Sequence, residues 1–253
     1  MLAFRELARA PDPTGTRLLL DGVHLVREAH DCGIDLEAVA VAAGAADVSE
    51  EAALARELGR RGVQVFEATE QAFAAMSPVR APSGIVGIAA RRDVAAETIC
   101  RRPDAFVLVA VDVQDPGNVG AMIRAGEAGG VTGVLVCGAS ATPFSWKAVR
   151  GSMGSILRLP VVAGLSPDAA VDCVRAAGVR VIAAAPRGGR PPEDVDWSGR
   201  VALLLGGEGA GLPDRVVAAA DERVTIPMAA PVESLNLAVA AGILIYAARH
   251  RRQ

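Results

Sequence analysis

The sequence predicts an α/β protein that ends in a parallel sheet sandwiched by helices. Three observations carry this reading. Short apolar runs alternate with helical stretches along the chain. The later runs are continuously apolar rather than alternating, as in strands buried on both faces. Loops rich in glycine or proline follow several of those runs, at the strand ends where open parallel sheets bind ligands.

The elements can be justified in order. Residues 1–13 carry Arg5, Glu6 and Arg9 and no apolar stretch, so they do not read as a signal peptide. Residues 16–20 read as a strand, and 22–32 as a helix with Val23, Val26, Ala29 and His30 near one face. A strand over 36–42, a helix over 50–61, a strand over 63–66, a short helix over 71–76 and a strand over 84–89 complete a small α/β region, residues 1–92. Residues 93–104 are charged, with Pro103 near their end, and read as a linker or a linker helix.

In the remainder, 105–253, strands are expected over 106–111, 131–137, 179–184, 201–205 and 223–226, and helices over 118–129, 168–177 and 214–220. The last helix, 235–250, is apolar on nearly every face, so a partner subunit is its simplest cover. Arg249, His250, Arg251 and Arg252 then sit where cations favour the helix dipole.

Composition narrows the function classes. The chain has 253 residues, 51% hydrophobic and 22% charged, which describes a globular protein. Cys32, Cys100, Cys137 and Cys173 are far apart, with neither a disulfide framework nor a zinc pattern, as in a reduced cytoplasmic protein. The net charge of −3 argues mildly against nucleic acid. Against that, Lys147 is the sole lysine, so nearly all positive charge is arginine, which forks onto phosphates.

Three strand-end loops could carry chemistry. The first, Asp112-Val113-Gln114-Asp115-Pro116-Gly117-Asn118-Val119-Gly120, makes a tight turn at Pro116-Gly117, with Asn118 expected as a helix N-cap and Arg124 on the first turns. An arginine there is well placed for a phosphate. The second, Leu205-Gly206-Gly207-Glu208-Gly209-Ala210-Gly211-Leu212, lets backbone approach a ligand, with Glu208 its only charge. It lacks both a dinucleotide fingerprint and a P-loop lysine. The third runs from Ile226-Pro227-Met228 to Glu233-Ser234-Leu235-Asn236, with Ser234 expected as the cap of the last helix and Asn236 as a buried amide that needs partners. His24, His30 and His250 lie near none of these loops, and no metal cluster is apparent.

Together these loops closely resemble the SpoU (TrmH-type) family of RNA 2′-O-ribose methyltransferases. Val149-Arg150-Gly151-Ser152-Met153-Gly154 and Arg158-Leu159-Pro160 look like the family too, and residues 17–28 and 36–41 are similar to its ribosomal-protein-like substrate-binding domain. The resemblance implies a trefoil-knotted catalytic domain, a homodimer that uses the last helix, and S-adenosylmethionine as cofactor. It assigns Gly206, Gly207, Ile226, Met228, Ser234 and Leu235 to the cofactor, and Asn118, Arg124, Glu208, Ser234 and Asn236 to catalysis. It places Arg124 and Arg150 on the RNA. Two departures stand out: Ala230-Pro231 where family members commonly carry a glycine, and Gly207 for a frequent asparagine.

The expected reaction is methylation of a ribose 2′-hydroxyl, with large-subunit ribosomal RNA the favoured substrate and transfer RNA the alternative. An arginine stays protonated, so Arg124 would stabilise negative charge on the 2′-oxygen, oriented by Glu208 and Asn118. Aromatic residues are 3% of the chain, which leaves RNA shape as the main source of specificity. A non-catalytic RNA-binding or ribosome-assembly factor is the competing class, and cofactor binding separates the two.

Overall fold

A computed structural model describes residues 1–12, 14–44, 49–79 and 82–252. Its contacts divide the chain into two units, Met1–Asp93 with Phe144–Arg158, and Val94–Pro143 with Leu159–Gln253.

The first unit runs α1 (Leu2–Arg9), β1 (Arg17–Asp21), α2 (Val23–Asp31), β2 (Leu36–Ala42), α3 (Glu50–Arg60), β3 (Gln64–Ala68), α4 (Glu70–Ala74) and β4 (Ile85–Ala90). Its sheet has the order β1-β4-β2-β3, with β4 antiparallel to both neighbours and β2 parallel to β3. Helix α3 starts where Ser49 Oγ accepts from the Ala52 amide at 3.1 Å, with Glu50 and Glu51 favouring the helix dipole. Helix α1 was not expected from its sequence. It forms because Phe4 and Leu7, one turn apart, are buried against Leu19, Ala40, Phe73 and Val86.

The second unit begins with α5 (Ala96–Cys100), β5 (Phe106–Val111), α6 (Pro116–Gly129) and β6 (Gly133–Cys137). Next in the chain come α7 (Trp146–Gly151) and α8 (Ser155–Arg158), which group with the first unit, where α7 packs on β1. The sequence had placed these residues with 105–253. The second unit then resumes with β7 (Val161–Leu165), α9 (Pro167–Ala176), β8 (Arg180–Ala184), β9 (Val201–Gly206), α10 (Asp214–Ala218), β10 (Glu222–Val224) and α11 (Leu237–Arg252). Strand β7, half-buried and bearing Gly164 at φ +90°, was not expected, although Val161–Leu165 is apolar.

This second sheet is parallel throughout, in the order β10-β8-β9-β5-β6-β7. Every residue of β5 is buried, as its continuous apolar run requires. One side packs Val107, Val109, Leu135, Val181 and Leu204 against Ile99 of α5 and Ala170 and Val174 of α9. Each such side chain contributes roughly 1.5–3 kcal/mol on full burial. Helix α11 lies along α6, and Gly129 makes the approach possible: a Cβ there would stand 2.0 Å from Ile245 Cγ2. Among the described residues, no helix is long and apolar enough to cross a membrane.

Candidate active site

The site forms at the carboxyl ends of β5, β8, β9 and β10. At the end of β5 the chain turns sharply at Asp112, whose φ of +56° is rare for a residue with a side chain. Its carboxylate accepts from the Ala139 amide at 2.7 Å, and the Val113 amide donates to Ser140 Oγ at 2.9 Å. These bonds pin the first loop to the loop after β6 and fix where α6 begins.

Helix α6 is capped by Asp115, whose Oδ1 accepts from the amides of Gly117 at 2.5 Å and Asn118 at 3.3 Å, with Pro116 in the first turn. Asn118, expected as the cap, is instead a first-turn residue with its side chain free for other partners. Its Nδ2 donates to the Glu208 carboxylate, and its Oδ1 accepts from Asn236 Nδ2 at 3.1 Å.

Asn236 also differs from expectation. It is exposed rather than buried, and it, not Ser234, caps α11: Oδ1 accepts from the amides of Ala238 at 3.0 Å and Val239 at 3.3 Å. One amide therefore starts a helix with its oxygen and ties that helix to Asn118 with its nitrogen. All three loops singled out in the sequence meet in the chain Asn236–Asn118–Glu208.

The second loop needs Gly206 and Gly207 for close backbone packing. A Cβ on Gly206 would come within 2.1 Å of the Gly211 carbonyl carbon, and one on Gly207 within 2.0 Å of the Asp112 oxygen. With these approaches, the loops enclose a cavity of about 500 Å³. Gly206, Gly207, Ile226, Met228, Ser234 and Leu235 all line it, with Glu208 at the edge and Leu237, Ala240 and Leu244 contributed by α11. The size is ordinary for a small-molecule site. Sequence reasoning missed one wall, Ala184–Ala185–Pro186–Arg187, which runs on from the last residue of β8. That segment carries no motif, and the only signal was that it too follows an apolar strand.

Arg124 stands in the third turn of α6, not the first, about 12 Å along the axis from the helix start. It is exposed, and among the described residues no hydrogen bond or ion pair joins it to Glu208, Asn118 or any other side chain. The expected orientation of Arg124 by those two residues is therefore absent, since they bond to each other. Arg150 belongs to the first unit. It lies on α7, 3.8 Å from the carboxylate of Asp21, which also accepts from Ser83 Oγ at 3.0 Å and Ser77 Oγ at 3.4 Å.

Nucleophilic chemistry from a thiol is disfavoured near the site. Cys137, at the end of β6, has its pKa pushed up to about 12 by burial, with the Asp112 carboxylate adding to the shift. Among the described residues, no group of three or more His, Cys, Asp or Glu is arranged to hold a metal ion. What the loops present is a mostly apolar cavity edged by a hydrogen-bonded carboxylate, beside a helix whose exposed Arg124 guanidinium is unpaired among the described residues.

Comparison with known proteins bears on this arrangement. Residues 105–246 match the model of the SpoU rRNA Methylase family, and residues 13–87 match the MRM3-like substrate binding domain. The chain is 34% identical over 245 residues to the 23S rRNA (guanosine(2553)-2′-O)-methyltransferase RlmP of Bacillus subtilis, covering 96% of this chain and 93% of that protein. It is similar to the AdoMet-bound rRNA methyltransferase structure from Sinorhizobium meliloti at 30% identity and a TM-score of 0.83, covering 98% of this chain and 92% of the other. It is also similar to the SpoU methyltransferase AviRb from Streptomyces viridochromogenes in complex with AdoMet, at 28% identity and a TM-score of 0.83, covering 99% and 96%.

Proposed function

The chain belongs to the SpoU rRNA Methylase family, and from that membership we propose that it methylates a ribose 2′-hydroxyl of large-subunit ribosomal RNA with S-adenosylmethionine. The observation that carries the proposal is the hydrogen-bonded chain Asn236–Asn118–Glu208 at the edge of the cavity. The ribosomal RNA substrate rests on the whole-chain similarity to RlmP and on the match of residues 13–87 to a substrate-binding domain.

The cavity suits an adenosine-bearing cofactor. Apolar side chains such as Ile226, Met228 and Leu244 offer faces for a base, and Gly206 and Gly207 have no room for a Cβ. Gly206, Gly207, Ile226, Met228, Ser234 and Leu235 would hold the cofactor. When bound, it supplies a sulfonium methyl group as a one-carbon electrophile.

The residues of the chain do the positioning, which dominates an in-line displacement. Asn118 holds Glu208, Asn236 holds Asn118, and together they lock the three loops in register. Arg124, exposed and joined to no partner among the described residues, is free to grip an RNA phosphate and to stabilise negative charge developing on the 2′-oxygen. The first unit, Arg150 included, would dock RNA.

The remaining readings extend the same proposal. Val239, Ile243 and Tyr246 form an exposed apolar stripe on α11 at helical spacing, which supports a homodimer through that helix. A trefoil knot in the catalytic unit and a cytoplasmic location follow from the same family reading.

The test is a comparison of ribosomal RNA from cells with and without the protein. One 2′-O-methylnucleoside of the large-subunit RNA should vanish on deletion and return with the wild-type chain but not with Arg124→Ala. An unchanged methylation profile would contradict the proposal.

A further inference from the structure

Among the described residues, the charged ones that line the cavity are Arg187, Glu208 and Glu233. Glu208 is engaged by Asn118. Arg187 and Glu233 face each other at 3.6 Å, and their side chains are 83% and 81% exposed. An ion pair this open to water is held weakly and exchanges readily for other partners.

The backbone beneath Arg187 is fixed, in contrast to its side chain. The segment after β8 leaves the sheet and returns to β10 through bonds from the Ala185 amide to the Val224 oxygen and from the Arg190 amide to the Arg223 oxygen, each 2.9 Å. Thr225 Oγ1 donates to the Ala185 oxygen at 2.9 Å and accepts from the Gly189 amide at 2.9 Å. A Cβ on Gly189 would stand 2.7 Å from Thr225 Oγ1, so the staple requires glycine there. Arg187 is thus an exposed cation on a hydrogen-bonded loop, with Glu233 as its counterpart on the segment before α11.

We infer that Arg187 and Glu233 form a subsite for a zwitterionic α-amino acid group at the cavity mouth. Arg187 receives the carboxylate, and Glu233 receives the ammonium group. The inference rests on the proposed cofactor, whose amino-acid end carries both charges while its adenosine portion suits the apolar interior. On binding, one solvent-exposed ion pair is replaced by two, and the guanidinium fork meets a carboxylate in the geometry it prefers. Neither residue takes part in the reaction itself. Their role is to select a nucleoside that bears an amino acid over one that lacks it.

The experiment is calorimetric titration of the full chain with S-adenosylhomocysteine and with 5′-methylthioadenosine, which lacks the amino-acid end. It compares the wild type with Arg187→Ala and Glu233→Gln. Each substitution should weaken S-adenosylhomocysteine about tenfold, the size of one charge-assisted hydrogen bond, and leave 5′-methylthioadenosine within about twofold. Equal losses for both ligands, or no loss for either, would overturn the subsite while leaving the cofactor proposal intact. Failure of the wild type to bind either ligand would overturn the cofactor proposal and the subsite with it.

Discussion

The two sheets of the molecule differ in where they put their strand ends. In the first unit β4 runs against both its neighbours, so the connections leave from opposite edges. Many charged side chains there pair locally, as in Arg17–Glu37, Arg27–Glu57 and Arg91–Asp93. In the second unit all six strands run one way, and the loops after β5, β8, β9 and β10 gather on one edge. Asn118, Glu208 and Asn236, far apart in sequence, become hydrogen-bonded neighbours there. Strand direction, more than local composition, turns scattered polar residues into a site.

The largest expected effect falls on Arg124, which is unpaired among the described residues. Arg124→Ala should lower turnover by about 10²–10³, the usual loss on removing a donor to developing charge, with cofactor affinity unchanged by calorimetry. An equal fall in affinity would move Arg124 from the reacting oxygen to the cofactor. Next comes the close packing of the loops. Gly207→Val would press a side chain into the Asp112 carbonyl, costing roughly 2–3 kcal/mol in denaturant unfolding together with cofactor binding. Near-normal stability would mean that the loops can part.

Asn236 separates structural from site effects. Asn236→Ala should lose about 1 kcal/mol of helix capping, whereas Asn236→Asp keeps the capping oxygen and loses only the donor to Asn118. Turnover should fall in both, and melting temperature in the alanine variant alone. The smallest effect belongs to the mixed sheet. Asp12, at the entry to β1, has its pKa lowered to about 2, first by the Thr14 hydroxyl and also by the Thr16 amide. Its folded-state pKa lies below the ordinary value of 3.8, so the stabilisation is fully present above about pH 4 and fades as pH falls through about 2. Solvent screening limits it to at most about 1 kcal/mol. Asp12→Ala should therefore shift an acid unfolding curve slightly and leave turnover alone.

Much of the catalytic sheet was legible because its strands are continuous apolar runs, and β5 was read at its observed bounds. The helix starts were harder. Asp115-Pro116 and Asn118 compete as start signals within one turn, and the aspartate wins because proline at the next position is already shaped for a helix. Ser234 and Asn236 compete in the same way, and the choice depends on where the preceding loop can turn. The wall at Ala184–Arg187 had no motif to reveal it. Its role comes from β8 lying beside β9 in the sheet, which is a property of strand order. Residues 144–158 show the same limit, because sequence proximity assigned them to one unit and packing to the other.

The most direct measurement is transfer of labelled methyl from S-adenosylmethionine to separate pools of ribosomal and transfer RNA, followed by nucleoside analysis. Label in a single 2′-O-methylnucleoside of the large-subunit ribosomal RNA, abolished by Arg124→Ala, is the predicted result. Label in transfer RNA alone, or in a base instead of a ribose, would contradict it.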